Sequence, residues 1–587
     1  MRTIILIVIL SFYCLSDMLS QPYSGFTLIT ATPTRTDLLS LNNTIVKSWE
    51  HTRSGGFSVY LLENGNLLRP AVSSGSPING GGAGGILQMY SWNGNLIWEF
   101  TYSSNTVRSH HDICQLPNGN VLMLAWEVKS SSEAVSAGLN HSAEIWPDHI
   151  IEVQQSGPFS GNIVWEWHFW DHLIQDYDST KANYGNVASH HELLDINVGS
   201  EGSGDWMHCN GISYNENFDQ ILISSYYLDE IFVIDHSTTT AEASGHSGGI
   251  YGKGGDFLYR WGKPSNYRAE GHQYFDVAHN SVWIPDSIAG RGNILVFNNG
   301  QNILASSIIE IIPPVDSNGF YTFIPATSFG PDSPCWIYSA VGFYTDIMGG
   351  CQRLPNGNTL IAESRDGYLF EINKEGFIQW SFAPGILTSR VLRYGFDYQG
   401  LSELVFNIIL SVIPEGYYDS FNNVLNSQDS VKVFVRNSVS PYNSIDSSVN
   451  VISLNNFKGN FYFGNTNEDE YYIEIKHRNT INVWSAQPVR FIDGQSFVID
   501  ISNSSNLIYG NNLKQVDSNP VRYALFSGDV NKDNVIDGVD LLMIDNDVTE
   551  FNTGYQSTDL TGDLIIDALD ASIAENNASD FISVISP

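Results

Sequence analysis

At 587 residues the chain is too long for one hydrophobic core, and size alone divides it into about three or four domains. With 12% aromatic residues and 51 glycines but only 15% charged residues, its composition favours strands and tight turns and argues against a protein built of Glu- and Lys-rich helices. A formal charge of −36, with no cluster of Lys or Arg, excludes a nucleic-acid partner, and any anionic ligand must be held by local donors against the global field.

Taken in order, residues 1–20 read as a secretory signal peptide: Met1 and Arg2, an apolar run over 3–14, then a short stretch able to hold a cleavage site. The mature chain is therefore expected outside the cytoplasm, in the periplasm, on the cell surface or in the medium. No later run approaches the ~20 apolar residues of a membrane helix, so no transmembrane segment is expected after the signal. Cys114, Cys209, Cys335 and Cys351 remain in the mature chain. Export permits pairing, with Cys335 to Cys351 one expectation and free buried thiols the other.

Residues 24–394 carry an internal repeat. Half of the unit is a Gly turn, usually Asn-Gly, followed by an apolar strand, as in LLENGNLL, LPNGNVLML, GRGNILVF and LPNGNTLIAES; the other half is a strand reaching Trp, as in GNLIWEF, GNIVWEW, FLYRWG and GFIQWSF. Asn-Gly favours a type I′ hairpin turn, and hairpins at such spacing fit the blades of a β-propeller, about six for this length, with an array of β-sandwiches as the alternative. Stretches 130–142 and 236–256, rich in Gly and Ser, read as loops, and GIYGKGGD lacks the spacing of a phosphate-binding loop. Residues 395–429 read as a linker and 430–503, with strand-period alternation, as a small β-sandwich.

The last segment, 528–587, has another character. Asp529, Asn531, Asp533, Asp537 and Asp540 occupy positions 1, 3, 5, 9 and 12 of a calcium loop, and Asp559, Thr561, Asp563, Asp567 and Asp570 repeat the spacing. Oxygen ligands at alternate residues can wrap one hard cation. The position-6 glycine is replaced by Asn534 and by Leu564, which makes the second loop the weaker expected site. These tandem loops with their apolar followers resemble a type I dockerin, which implies structural Ca2+, a short α-helical module and a cohesin-like or cell-surface protein partner.

Histidines recur in comparable slots of the repeat: His110 and His111 in SHHDICQLPNGN, His208 in DWMHCN, and His279 in FDVAHNSVWIPD. Each alone is most simply a packed core residue. Recurrence at equivalent positions is what a shared central site requires, and imidazole chemistry fits better than zinc because the tight HxH or HxxxH spacing is missing. In order and context, HHDI with LPNGNVL, the DW.H.N motif with its trailing SS and VID, the His ahead of WIP and ILVFNNG, and QRLPNGNTLIAES resemble the arylsulfotransferase family of exported bacterial enzymes.

That resemblance implies a mainly β fold with a six-bladed β-propeller, and nucleotide-independent transfer of a sulfuryl group from an aryl sulfate donor to a phenolic acceptor by a ping-pong route. Carried over by motif, His279 is the transiently sulfated nucleophile and His208 and His111 are the further catalytic histidines, with His111 chosen over His110 as the inward member of its pair. His110, Asn210 and Tyr226 are the expected substrate-binding residues. After the SS pair the family often has a sulfate-binding arginine where this chain has Tyr226 and Tyr227, leaving Arg353, Arg365 or Arg393 as substitutes. The alternatives are a non-catalytic propeller that binds sulfated or phenolic ligands, an extracellular scaffold or adhesion protein, or a hydrolase with water as acceptor.

Overall fold

The computed structural model describes residues 21–202, 204–324 and 327–587, so the expected signal peptide lies outside the described residues. The chain is mainly β and divides into two compact units, 1–395 and 396–587. Among the described residues no helix is long and apolar enough to cross a membrane.

Six four-stranded antiparallel sheets are present among the described residues of the first unit. Five are consecutive in sequence. The sixth takes strands Gly25–Thr32, Arg35–Leu39 and Ile45–Glu50 from the start of the unit and Val391–Gly395 from its end, with Gly25 opposite Gly395 and Ile29 opposite Val391. Neighbouring sheets share apolar cores: Leu68, Trp98 and Ile113 with Ile151, then Leu124 and Trp167 with Ile223 and Phe232, then Ile231 and Tyr259 with Val296 and Ile309. These faces bury β-branched and aromatic side chains on both sides of each sheet, which is why the strands read as nearly continuous apolar runs.

The repeated tryptophans explain the other half of the motif. Trp49 donates its indole N–H to Ser91 O, Trp98 to Ser160 O, Trp165 to Thr238 Oγ1, Trp261 to Pro331 O, Trp336 to Lys374 O and Trp380 to Leu41 O, at 2.9–3.3 Å. Every acceptor lies in or beside the outer hairpin of the next sheet, and the last returns to the first. A tryptophan at this place buries a large apolar body and satisfies its one donor across the sheet boundary.

The Asn-Gly turns differ from the expected type I′. In LPNGN, Gly119 N donates to Leu116 O and Leu116 N to Asn120 O, and only Gly119, at φ +88°, has positive φ; Gly357 repeats this after Leu354. Leu62 to Asn66 and Ser91 to Asn95 close in the same way without a proline, so a type I turn followed by a left-handed glycine is the common form, and Pro117 and Pro355 merely suit it. Within the stretches expected as loops, Ser130 with Glu133 and Thr239 with Glu242 form capping boxes that start helices Ser131–Ala137 and Thr240–Ala243. Among the described residues Cys114, Cys209, Cys335 and Cys351 are all free, so Cys335 and Cys351 are not paired: Cys351 is buried in a strand while Cys335 is exposed.

In the second unit, the stretch expected as a linker contributes strand Phe406–Ser411, which pairs antiparallel with Lys458–Phe463 and parallel with Ser496–Asp500. Its apolar run LVFNIIL is strand material, half facing a core shared with the sheet built on Ser430–Asn437 and Glu470–Lys476. Helices Gly538–Thr549 and Ala568–Ser579 follow, packed on each other through Ile544, Leu560, Ile566 and Ala574.

Candidate active site

The first strands of three successive sheets are Val107–Gln115, Cys209–Asn215 and Ala278–Trp283, and each is broken by a bulge where its histidine or asparagine stands. Pairing slips between Ser109 and Ile113, between Cys209 and Gly211, and between His279 and Val282. A bulge re-aims side chains out of the ladder, here toward one cavity. His111 (φ +48°), His208 (+55°) and Asn280 (+48°) are left-handed, and so is the β-branched Val277 (+68°). Such conformations cost roughly 1–3 kcal/mol each and concentrate where geometry is imposed by function.

The cavity has a volume of about 380 Å³ and is lined by His111, His208, Tyr226, His279 and Arg390, with Asp205, Tyr227 and the Gly80 to Gly82 run. Gly82 is obligatory: it sits at φ +76°, and a Cβ there would lie 2.1 Å from His111 Cε1. The His111 and His208 rings are 4.5 Å apart, His208 and Tyr226 5.1 Å, and Tyr226 and His279 5.6 Å.

His279 is held in one tautomer. Asn299 Nδ2 donates to Thr345 O at 2.8 Å and Met348 O at 2.9 Å, which turns its Oδ1 toward His279 Nδ1 at 2.6 Å. An amide oxygen only accepts, so Nδ1 carries the proton and Nε2 presents a lone pair. Burial lowers the His279 pKa to about 3, so the ring is neutral at physiological pH. His208 Nδ1 is hydrogen-bonded to Asp205 Oδ2, which orients the ring as a carboxylate orients a catalytic imidazole.

His111 is likewise held neutral, first by burial and then by neighbouring His208. His110, expected to bind substrate, does not line the cavity. It stacks on Trp126 at 4.0 Å, its Nδ1 lies 2.9 Å from His111 Nδ1, and its Nε2 lies 2.7 Å from Asp148 Oδ1. Burial lowers the pKa of His110 to about 3 and raises that of Asp148, so the two form a neutral pair rather than an ion pair, despite their closeness. Asn210 lines the cavity, its Nδ2 donating to Ala278 O and its Oδ1 accepting from Ser224 Oγ. It ties adjacent inner strands together with one of its two amide protons.

None of the three arginines expected as substitutes lines the cavity. Arg353 pairs with Glu310, Arg393 is buried against Glu371, and Arg365 is exposed beside Asp346. Arg390, just before strand Val391–Gly395, lines the cavity instead. Its Nη1 meets Asp112 Oδ2 and Tyr60 OH at 2.5 Å and its Nη2 donates to Asn210 O at 3.2 Å. Burial opposes its charge, but Asp112 outweighs this and raises the pKa, so Arg390 stays cationic. Tyr226 OH accepts from Gln301 Nε2 at 2.6 Å, leaving its own proton to donate. Arg390, Asp205 and Asn299 were not picked out from sequence; Asp205, three residues before His208, carried the only local signal.

In the second unit, Asp537 and Asp567 cap their helices, with Asp540 and Asp570 completing capping boxes. Both carboxylate oxygens of Asp529 are buried without a partner, whereas Asp559 accepts from Gly562 N and Leu564 N. Asn534 (φ +74°) and Leu564 (+67°) both take the left-handed turn that position 6 demands. Orphaned carboxylate oxygens fit a hard cation, most clearly in the first loop.

Comparison with known proteins agrees with this division. Residues 61–308 match the Arylsulfotransferase (ASST) family and residues 527–577 the Dockerin type I domain. The chain thus carries an arylsulfotransferase-family segment, which supports sulfuryl transfer in general, and a dockerin domain of a type that typically binds calcium. No curated protein matches the sequence. Similar solved structures include a Bacteroides caccae protein of unknown function (12% identity, 63% of this chain and 98% of that one, TM-score 0.35) and a Pseudomonas aeruginosa periplasmic gluconolactonase (9%, 63% and 99%, 0.33). An Acetivibrio cellulolyticus cohesin–X-dockerin complex aligns over 30% of this chain and 99% of that one (15%, 0.19). Likeness at these scores carries no argument.

Proposed function

We propose, from the arylsulfotransferase-family segment and the geometry of its cavity, that the first unit moves a sulfuryl group from an aryl sulfate to a phenol through a sulfohistidine at His279. The observation that carries this reading is the neutral His279 ring whose Nδ1–H is committed to Asn299 and whose Nε2 lone pair is free. In the first half-reaction Nε2 attacks sulfur, the S–N bond forms and the S–O bond to the aryl group breaks. The leaving oxygen takes a proton from His208, which Asp205 orients. In the second, His208 takes the proton of the incoming phenol, whose oxygen attacks sulfur as the S–N bond breaks. Arg390 and the Tyr226 hydroxyl supply the charge and the hydrogen bond that steady the sulfuryl oxygens. No nucleotide takes part in this scheme.

The six sheets, the ring of tryptophan contacts and the pairing of the two ends of the unit support closure into a six-bladed propeller with the cavity on its axis. In the second unit the reading is structural Ca2+ held by Asp529, Asn531, Asp533, Asp537 and Asp540 and by their counterparts in the second loop. Calcium, when bound, supplies a rigid crosslink between loop and helix. A dockerin implies an exported chain docked to a cohesin-like partner.

The test is to mix the protein with a chromogenic aryl sulfate, with and without a phenol, and to follow phenol release and sulfated acceptor. Acceptor-dependent turnover that disappears in His279→Ala supports the proposal. Undiminished transfer in that variant overturns it.

A further inference from the structure

Away from the cavity, His172, His246 and Asp256 converge in the first unit, each offering one ligand atom, all within 4.8 Å of one another. His172 ends the short turn Phe169–His172 that follows strand Ser160–His168 of one sheet. His246 and Asp256 belong to the Gly-rich stretch after strand Glu230–Asp235 of the next. His172 and Asp256 are buried, whereas the His246 side chain is 62% exposed.

The hydrogen bonding of His172 settles which atom faces the cluster. Its Nε2 lies 2.9 Å from Ala243 O, and a carbonyl only accepts, so Nε2 carries a proton and Nδ1 is the atom that faces the cluster. His172 Nδ1 lies 2.8 Å from Asp256 Oδ1, and His246 Nδ1 approaches the same oxygen at 2.7 Å. Two imidazole nitrogens and a carboxylate oxygen thus converge, all within 4.8 Å of one another. Protons can bridge these contacts as ordinary hydrogen bonds, and a single divalent cation can take their place by bonding all three atoms at once.

The surroundings are those of a metal-binding histidine. The far nitrogen of His172 is fixed by a backbone carbonyl, as in the outer sphere of most imidazole–metal sites. Trp167 stacks on its ring at 5.5 Å and 7°, and donates its indole N–H to Gly255 O at 2.7 Å. Gly255 leaves room for this arrangement, since a Cβ there would lie 2.5 Å from His172 Nε2.

We propose that His172 Nδ1, His246 Nδ1 and the Asp256 carboxylate bind a divalent transition metal, zinc by ligand chemistry, which clamps the 236–256 loop to the neighbouring sheet. Two imidazoles and a carboxylate suit zinc, with the fourth tetrahedral position left to water on the exposed side of His246. Zinc about 2.0–2.1 Å from each ligand sets the ligand atoms about 3.3 Å apart, so each imidazole nitrogen must move back from Asp256 Oδ1 by about half an ångström, within a cluster no wider than 4.8 Å. The exposed His246 can move by that much. This site is independent of the calcium loops, whose donors are oxygens alone.

The experiment uses the full chain in excess Ca2+, so that oxygen-donor sites are filled, and titrates it with Zn2+ and, as a visible probe, Co2+. One equivalent of zinc should survive dialysis, and Co2+ should show the strong visible absorption of a tetrahedral site, displaced by Zn2+. His246→Ala, a change at an exposed side chain, should lose that equivalent and its spectrum, and Asp256→Asn should weaken both at least tenfold. Failure of the native chain to hold zinc or Co2+ overturns the proposal, and so does an undiminished equivalent in His246→Ala.

Discussion

Replacing Asn299 by Ala tests whether the tautomer of His279 governs turnover. In the native chain one hydrogen bond of 2.6 Å selects the Nδ1–H form and fixes the plane of the ring. A net hydrogen bond is worth about 0.5–1.5 kcal/mol, and about 1.4 kcal/mol is a factor of ten in rate. Losing the bond therefore costs up to about tenfold through the tautomer population, and a freed ring adds a further loss through misalignment, for a fall of about 10- to 100-fold in kcat. Substrate affinity should change little, because Asn299 does not line the cavity. The substitution also strips Met348 O of its donor and Thr345 O of one of two, Ser306 Oγ remaining, at about 1–3 kcal/mol in total. Thermal unfolding should accordingly fall by several degrees, and the assay belongs well below that transition. The measurement is phenol release from a chromogenic aryl sulfate over a range of donor concentrations. A folded Asn299→Ala protein with kcat within about twofold of native would refute the tautomer argument.

Three other outcomes follow from the same geometry. Arg390→Gln leaves the Asp112 carboxylate buried beside a neutral partner and should destabilise the first unit by about 3–5 kcal/mol; adding Asp112→Asn should restore the thermal transition but not the donor KM. Burial raises the Asp529 pKa to about 6 from 3.8, so without a cation this group's contribution to stability is complete below about pH 3.8 and is lost as pH rises through about 6. The thermal shift caused by Ca2+ should therefore be small below about pH 5, grow through pH 6, and shrink sharply in Asp529→Ala. His236 is opposed by burial, but its bonds to Asp219 and Glu152 win and raise its pKa to about 9. Its contribution is complete below about 6.5 and is lost as pH rises through about 9, so thermal stability should decline from about pH 8 to 10 and the decline should flatten in His236→Gln.

Much of the architecture was legible because it rests on short-range rules. Asn-Gly turns, strand-period alternation and a tryptophan in every repeat mark antiparallel hairpins wherever they occur, and the acidic spacing of 529–540 and 559–570 specifies its loops without help from the rest of the chain. Where such rules were misjudged, a local competitor won: the Asn-Gly hairpins close as type I turns with one left-handed glycine, and the capping boxes at Ser130 and Thr239 turn apparent loops into helices.

The amino-acid order by itself determined the mainly β chain, the repeat, the recurring histidines and the calcium-loop spacing, since each depends on residues within a few positions of one another. Only the tertiary structure decided which members of those sets meet. Neighbours in sequence part company at a bulge, so His111 faces the cavity while His110 packs on Trp126. Residues 20 to 180 positions apart come together: Asn299 on His279, Arg390 on the carbonyl of Asn210, and His172 beside Asp256. Arg390 and Arg393 look alike in the sequence, and the tertiary structure sends one to the cavity and the other to Glu371. A side chain's direction is set by sheet pairing and by neighbouring sheets, and no local pattern encodes that.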